Sequence, residues 1–75
     1  MLLRATSPLL NDWTGEASIS TRHPASSFGM PVLLIDGEPV GPIKANWHRY
    51  EIMDATAAEL ELLGRGDYHF DLATP

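Results

Sequence analysis

The sequence predicts a small α+β domain, in which a three- to four-stranded, mainly antiparallel sheet carries one short helix packed on one face. Three observations support this fold class. Two segments alternate between apolar and polar residues, an apolar run is followed at once by Asp36-Gly37, and Thr56 and Glu59 have the spacing of a helix capping box. Alternation is typical of half-buried strands, whereas the dipeptide and the capping box are typical of a hairpin turn and a helix start.

The length of 75 residues predicts a single domain over residues 1–75, with an irregular N-terminal arm over 1–15 and a core of sheet and helix over 16–72. A chain of this size buries only about 60% of its unfolded surface, so an enclosed active site beside the core has little room. A hydrophobic content of 44% and a charged content of 20% are typical of a folded protein.

Ten acidic residues against five basic residues give a net charge of −5, and there is no cysteine. Because the basic residues are scattered, the charge disfavours nucleic acid and anionic membranes as partners. The lack of cysteine excludes disulfides and thiolate zinc sites, and for a domain this small it favours a cytoplasmic location. The first residues do not match a signal peptide, and no segment approaches the roughly 20 apolar residues of a membrane span.

The first two strands are predicted near residues 16–22 and 30–35. Residues 16–22 alternate, with Ala17, Ile19 and Thr21 on one side, and residues 30–35 form the apolar run. After the turn the chain returns to about residue 40. Pro39 has no amide hydrogen to donate, so this return is expected to be a short arm or a sheet edge.

Residues 43–53 match two patterns. As a helix, Ile43, Trp47 and Tyr50 fall at positions i, i+4 and i+7, and Pro42 suits a first turn. As a strand, His48 and Tyr50 share one face. The content of Trp, Tyr and Ile favours a strand over residues 47–53, and this is the interpretation we adopt.

The helix is predicted to begin at Thr56 and to end at Gly64 or Gly66, which gives about eight residues. A helix this short is not stable alone, so it is expected to pack on the sheet. Residues 67–72 are predicted to form a terminal strand, because aromatic and aliphatic residues alternate with polar residues in this segment. Its apolar face, expected to point into the core, comprises Tyr68, Phe70 and Leu72.

A binding face is predicted from five residues: Asp67, His69, Asp71, His48 and Trp47. Along a strand, Asp67, His69 and Asp71 would stand in a row about 7 Å apart. That spacing is too wide for one metal ion to take all three, so a neighbouring strand would have to contribute, with His48 or Glu51 as the candidate. The alternative is an ordinary solvated strand face. Trp47 is expected either in the core or as an exposed anchor for a partner.

No set of residues with the arrangement of a nucleophile, a base and an oxyanion hole is evident, and no cofactor motif is present. The sequence therefore predicts a non-catalytic module that binds a protein partner or associates with itself, with a homodimer among its expected forms. The alternative is a small-ligand or metal-binding domain that uses the Asp67-x-His69-x-Asp71 face. No catalytic residue, cofactor or metal ligand is assigned.

Overall fold

A computed structural model describes residues 1–5 and 13–73. These residues form an α+β fold, as the sequence predicts. The elements in chain order are β1 (Leu2–Ala5), β2 (Trp13–Ser20), β3 (Val32–Ile35), β4 (Glu38–Val40), α1 (Pro42–His48), β5 (Tyr50–Asp54), α2 (Ala57–Arg65) and β6 (Asp71–Leu72).

The six described strands form one mixed sheet in the order β4-β3-β2-β1-β5-β6. Every pairing is antiparallel except that of β6 with β5. The mainly antiparallel character is confirmed, but the predictions of three to four strands and of one helix were too low. The additional strand β1 has four residues, which is too short for alternation to reveal it, and the return predicted to about residue 40 forms a strand of its own, β4.

The N-terminal arm predicted over residues 1–15 is not irregular where it is described. It contains β1, which lies at the centre of the sheet between β2 and β5, and the first residues of β2. Leu3 is fully buried, while Arg4 points to the opposite face. The partners of β1 lie 8 to 14 positions away in β2 and 45 to 52 positions away in β5, so no local pattern could show its central place in the sheet. Residues 6–12 of the arm lie outside the described residues.

The strand predicted over residues 47–53 begins only at Tyr50, and α1 occupies Pro42–His48. The segment therefore contains a helix followed by a strand, although Ile43 and Trp47, two of the three residues of the helical pattern, are exposed and Tyr50 belongs to the strand. Arg49 separates the two elements, because its φ of 57° is left-handed and ends the helix. Tryptophan favours strands because its side chain packs well on the surface of a sheet. The side chain of Trp47 is 62% exposed, so this packing does not stabilise a strand here.

The terminal strand predicted over residues 67–72 is paired only at Asp71–Leu72. Tyr68 is buried and Phe70 is partly buried, as expected, but Leu72 is 64% exposed. The segment before Asp71 does not pair with β5 because the chain turns at Asp67, where φ is 66°. Asp67 and His69 are then hydrogen-bonded to Asn46 of α1 instead of to a strand.

The hydrophobic core lies on one face of the sheet, where α1 and α2 cover it. Its buried members are Leu3, Ala17, Leu33, Ala45, Ile52, Leu63 and Tyr68. Ala45 comes from α1 and Leu63 from α2. The helix predicted to begin at Thr56 corresponds to α2, and its predicted packing on the sheet is confirmed. The opposite face of the sheet, called the polar face below, carries Arg4, Thr14, Glu16, Ser18 and Glu51, with Leu2 and Leu34 beside them.

Two local predictions are confirmed. Asp36 and Gly37 have φ of 53° and 79°, as the two-residue turn between β3 and β4 requires. The Thr56 hydroxyl accepts from the Glu59 amide at 3.2 Å, and the Glu59 carboxylate accepts from the Thr56 amide at 2.9 Å. Neither helix in the described part of the chain has the length and apolar character needed to cross a membrane.

Candidate functional site at the edge strand β6

The strand β6 forms one edge of the sheet, and its outer side is open. The Ala73 amide donates to the Ile52 carbonyl at 2.8 Å. Successive residues of a strand direct their amide and carbonyl groups to opposite sides, so those of Leu72 point away from β5. No described strand pairs with this outer side. Leu72 therefore presents one backbone donor and one acceptor to an incoming chain.

Two hollows border β6. The larger is an open cleft of about 730 Å³ between the end of α1 and β6. Its lining includes Arg49, Tyr50, Glu51, His69, Asp71 and Leu72. The smaller hollow has a volume of about 260 Å³ and also touches Leu72, together with the partly exposed side chains of Met53 and Leu60. Leu72 lines both hollows, so a chain lying along β6 would meet a recess next to this residue.

The segment before β6 is held by Asn46 of α1, which also lines the cleft. The Asn46 side-chain amide donates to the Asp67 carbonyl at 2.9 Å, and its oxygen accepts from the His69 amide at 2.6 Å. The sequence interpretation missed Asn46. The available signal was weak, since asparagine merely prefers turns and caps to a helix interior. Its two hydrogen bonds fix where β6 begins relative to α1.

The structure brings His69 and Asp71 to the cleft, with Asp67 beside them. The Asp67 carboxylate lies 2.7 Å from Nε2 of His69, and both side chains are exposed. Asp71 forms no ion pair or side-chain hydrogen bond with any described residue. Within residues 1–5 and 13–73, no group of three or more His, Cys, Asp or Glu side chains is arranged to hold a metal ion. The metal interpretation of this face therefore gains no support from the geometry.

The other two predicted residues, Trp47 and His48, lie on α1 and do not line the cleft. The His48 ring lies edge-on between those of Trp47 and Tyr50, with centroid distances of 5.1 and 6.4 Å. Its Nδ1 atom is buried without a hydrogen-bond partner in the described part of the chain. Trp47 is exposed, as is Ile43 one turn earlier, so of the two alternatives for Trp47 the structure shows the exposed one.

The side chains of β6 point to opposite faces of the sheet. Asp71 is in register with Glu51, whose carboxylate lies 2.8 Å from the Arg4 guanidinium on the polar face. Leu72 is in register with Ile52 on the helix-covered face. The edge therefore offers, on one side, a carboxylate without an ion-pair partner among the described residues and, on the other, an exposed aliphatic side chain.

Tyr50 lines the cleft and connects it to the core. Its ring contacts those of Trp13 and Phe70 edge-on, with centroid distances of 6.0 and 5.7 Å. Burial raises the pKa of the Tyr50 hydroxyl above its ordinary value of 10.0, so this group is a neutral phenol near pH 7. Tyr50 thus contributes an uncharged aromatic side chain to a lining that also contains the charged residues Arg49, Glu51 and Asp71.

Comparison with known proteins gives no relative from which to take a function. No protein-family model matches the chain, and no curated protein or solved structure matches it significantly.

Proposed function

We propose that the protein is a non-catalytic protein-interaction module that binds an extended segment of a partner as an added strand at the outer edge of β6. The observation that supports this proposal is the outward backbone of Leu72, which lines both hollows and has no described strand beside it. In strand addition, main-chain hydrogen bonds supply affinity, and recesses for alternate side chains supply specificity. The edge of β6 offers the outward main-chain groups of Leu72 and the two hollows that this residue lines.

Exposed apolar side chains elsewhere are consistent with a module that contacts proteins. Ile43 and Trp47 are 89% and 62% exposed on successive turns of α1. Phe28 is fully exposed in the loop between β2 and β3, where it adopts a φ of 55° that bulky residues rarely take. Large exposed apolar groups of this kind are enriched where proteins bind each other. The homodimer and the cytoplasmic location remain predictions of the sequence.

Two substitutions at one position test the proposal. Leu72→Pro removes the outward amide hydrogen and leaves the Ala73–Ile52 hydrogen bond in place, because proline is tolerated at sheet edges. Leu72→Ala keeps the amide and shortens the side chain. Binders are first selected on the wild-type protein from a random peptide library, and their affinities for the three proteins are then measured by fluorescence anisotropy.

We expect Leu72→Pro to weaken the selected peptides at least about tenfold, because it removes one intermolecular hydrogen bond and obstructs the approach of a strand. Leu72→Ala should weaken them only a few-fold. Circular dichroism and the thermal midpoint establish that both variants are folded. Equal affinity for the wild-type protein and a folded Leu72→Pro variant would show that binding occurs elsewhere, and a library that yields no binder would remove the proposal.

A further inference from the structure

The chemistry on each side of β6 specifies the kind of segment that would fit there. From the structure we infer that the partner segment alternates basic and apolar residues, with Lys or Arg side chains on the Asp71 side and an apolar side chain on the Leu72 side. This inference rests on the proposed strand addition and adds the sequence class of the partner.

The preference for basic residues follows from the charges at the edge. Residues 50–73 contain six acidic residues and one basic residue, Arg65. Glu51 is already paired with Arg4, whereas Asp71 has no charged partner among the described residues. Arg49 is the one arginine or lysine of the cleft lining, and it lies at the α1 end. A residue directly opposite Asp71 would have its Cβ about 4.5–5.5 Å away, within reach of an ion pair.

The preference for an apolar residue follows from the other side of the edge. Leu72 is 64% exposed, and the hollow beside it is bordered by Leu60 and Met53, which are 39% and 43% exposed. A volume of about 260 Å³ has room for one aliphatic side chain. Covering these three side chains would remove apolar surface from water, which is favourable at about 25 cal/mol for each Å².

The alternation follows from strand geometry. Side chains of an added strand project alternately to the two faces of the sheet, so the acidic side and the apolar side are met by successive residues. A second copy of this chain fits poorly, because each copy carries a net charge of −5 and would bring its own Asp71 to the same edge. Charge complementarity therefore favours a basic partner over self-pairing at β6.

Three synthetic heptapeptides test this inference by calorimetric titration. The first has the sequence Ser-Lys-Val-Lys-Val-Lys-Ser, the second replaces every lysine with glutamate, and the third contains the first peptide's residues with the lysines and valines in separate blocks. We expect the first peptide to bind at least about tenfold more tightly than either of the others. The affinity should also fall as the salt concentration rises, because the ion pair is exposed.

Matched protein variants locate the charge effect. Asp71→Asn should weaken the alternating basic peptide about two- to fivefold, which is the effect of one exposed ion pair. Asp36→Asn makes the same change in net charge at the turn next to the opposite edge strand, β4, and asparagine tolerates the left-handed conformation there. This control should leave the affinity unchanged.

The two levels of the proposal fail in different ways. Equal binding of the glutamate peptide, or equal effects of Asp71→Asn and Asp36→Asn, would overturn the inference about basic residues. If library-selected peptides lack basic residues and still lose affinity for Leu72→Pro, strand addition holds and the inference about the partner is wrong. A β6-dependent dimer detected by light scattering would likewise identify a second copy as the occupant.

Discussion

At the scale of single residues, Tyr68 connects the segment before β6 to the hairpin of β3 and β4. Its side chain is 3% exposed, and its hydroxyl accepts from the Leu33 amide at 2.9 Å and donates to the Val40 carbonyl at 2.6 Å. The Leu33 amide is buried and far from water. Tyr68 therefore satisfies a donor that would otherwise be unpaired in the core, and it does so across 35 residues of sequence.

We expect Tyr68→Phe to destabilise the protein by about 1–3 kcal/mol, the cost of leaving a buried backbone donor without a partner. For a domain of this size, each kcal/mol lowers the thermal midpoint by about 4–8 °C. Thermal unfolding followed by circular dichroism measures the change. Tyr50→Phe is the matched control, because the Tyr50 hydroxyl makes no hydrogen bond with a described residue. Equal losses in both variants would contradict the role assigned to the Tyr68 hydroxyl.

At the scale of elements, the end of α2 contains two glycines with different surroundings. A Cβ atom added at Gly66 would lie 2.9 Å from the ring of Tyr68 and 3.0 Å from the carbonyl oxygen of Pro31. A Cβ atom added at Gly64 would meet no atom within 4 Å. The close approach of the chain at Gly66 lets the segment after α2 fold back onto the core, whereas Gly64 fills an ordinary helical position.

Alanine at these two positions should change stability in opposite directions. Gly66→Ala should destabilise the protein by about 1–3 kcal/mol, because the ring of Tyr68 or the backbone at Pro31 has to move. Gly64→Ala should stabilise it by up to about 1 kcal/mol, because alanine is the better helix former. Urea unfolding measures both free energies. A stabilising Gly66→Ala variant would show that the close packing at this turn has no energetic weight.

The elements that could be predicted are those with a local physical cause. The turn at Asp36-Gly37 and the capping box at Thr56 each depend on residues within three positions of one another, and both were found from sequence. The strand β1 depends on pairing with residues up to 52 positions away, and its ion pair between Arg4 and Glu51 spans 47, so its four residues gave no readable signal. The prediction for residues 43–53 was partly wrong because a helix, α1, and a strand, β5, follow one another within this short segment.

The candidate site was partly predictable for the same reason. His69 and Asp71 were singled out by their alternation with apolar residues, and both line the cleft. The open edge of β6 could not be foreseen, since it depends on a parallel pairing with β5 that is completed only after α2. Asn46 was missed because its two hydrogen bonds reach residues 21 and 23 positions away.

At the scale of the whole molecule, the amino group of Met1 joins the start of β1 to α2. It lies 3.0 Å from the Glu59 carboxylate and 3.6 Å from that of Glu16, which is 81% exposed. Burial by itself lowers the pKa of this ammonium, but the hydrogen bond and charge of Glu59, with smaller contributions from Glu16, outweigh it and raise the pKa above 8.0. Hydrogen bonding to the Thr56 amide, and then to the ammonium, lowers the pKa of Glu59 below 4.5.

These shifts predict how stability depends on pH in the 75-residue chain with a free amino group. The contribution of Glu59 is present above pH 4.5 and is lost as the pH falls through its lowered pKa. The contribution of the ammonium is present below pH 8.0 and is lost as the pH rises through its raised pKa. Urea unfolding over this range should therefore give a plateau that declines at both ends.

Glu59→Gln should flatten both declines, because it removes the charge while glutamine can still complete the capping box. Glu16→Gln is the matched control and should leave the profile nearly unchanged, since exposed ion pairs contribute little. Identical profiles for the wild-type protein and Glu59→Gln would contradict the assignment of the pH dependence to this pair.

The central position of β1 has a consequence for the order in which the protein can be assembled during translation. Arg4 and Glu51 are 47 residues apart. At roughly 5–20 residues per second, the ribosome adds that length in about 2–9 s. Throughout this interval β1 can pair only with β2, and the side later covered by β5 stays exposed. The middle of the finished sheet is thus, in the nascent chain, an open edge that needs protection until the second half emerges.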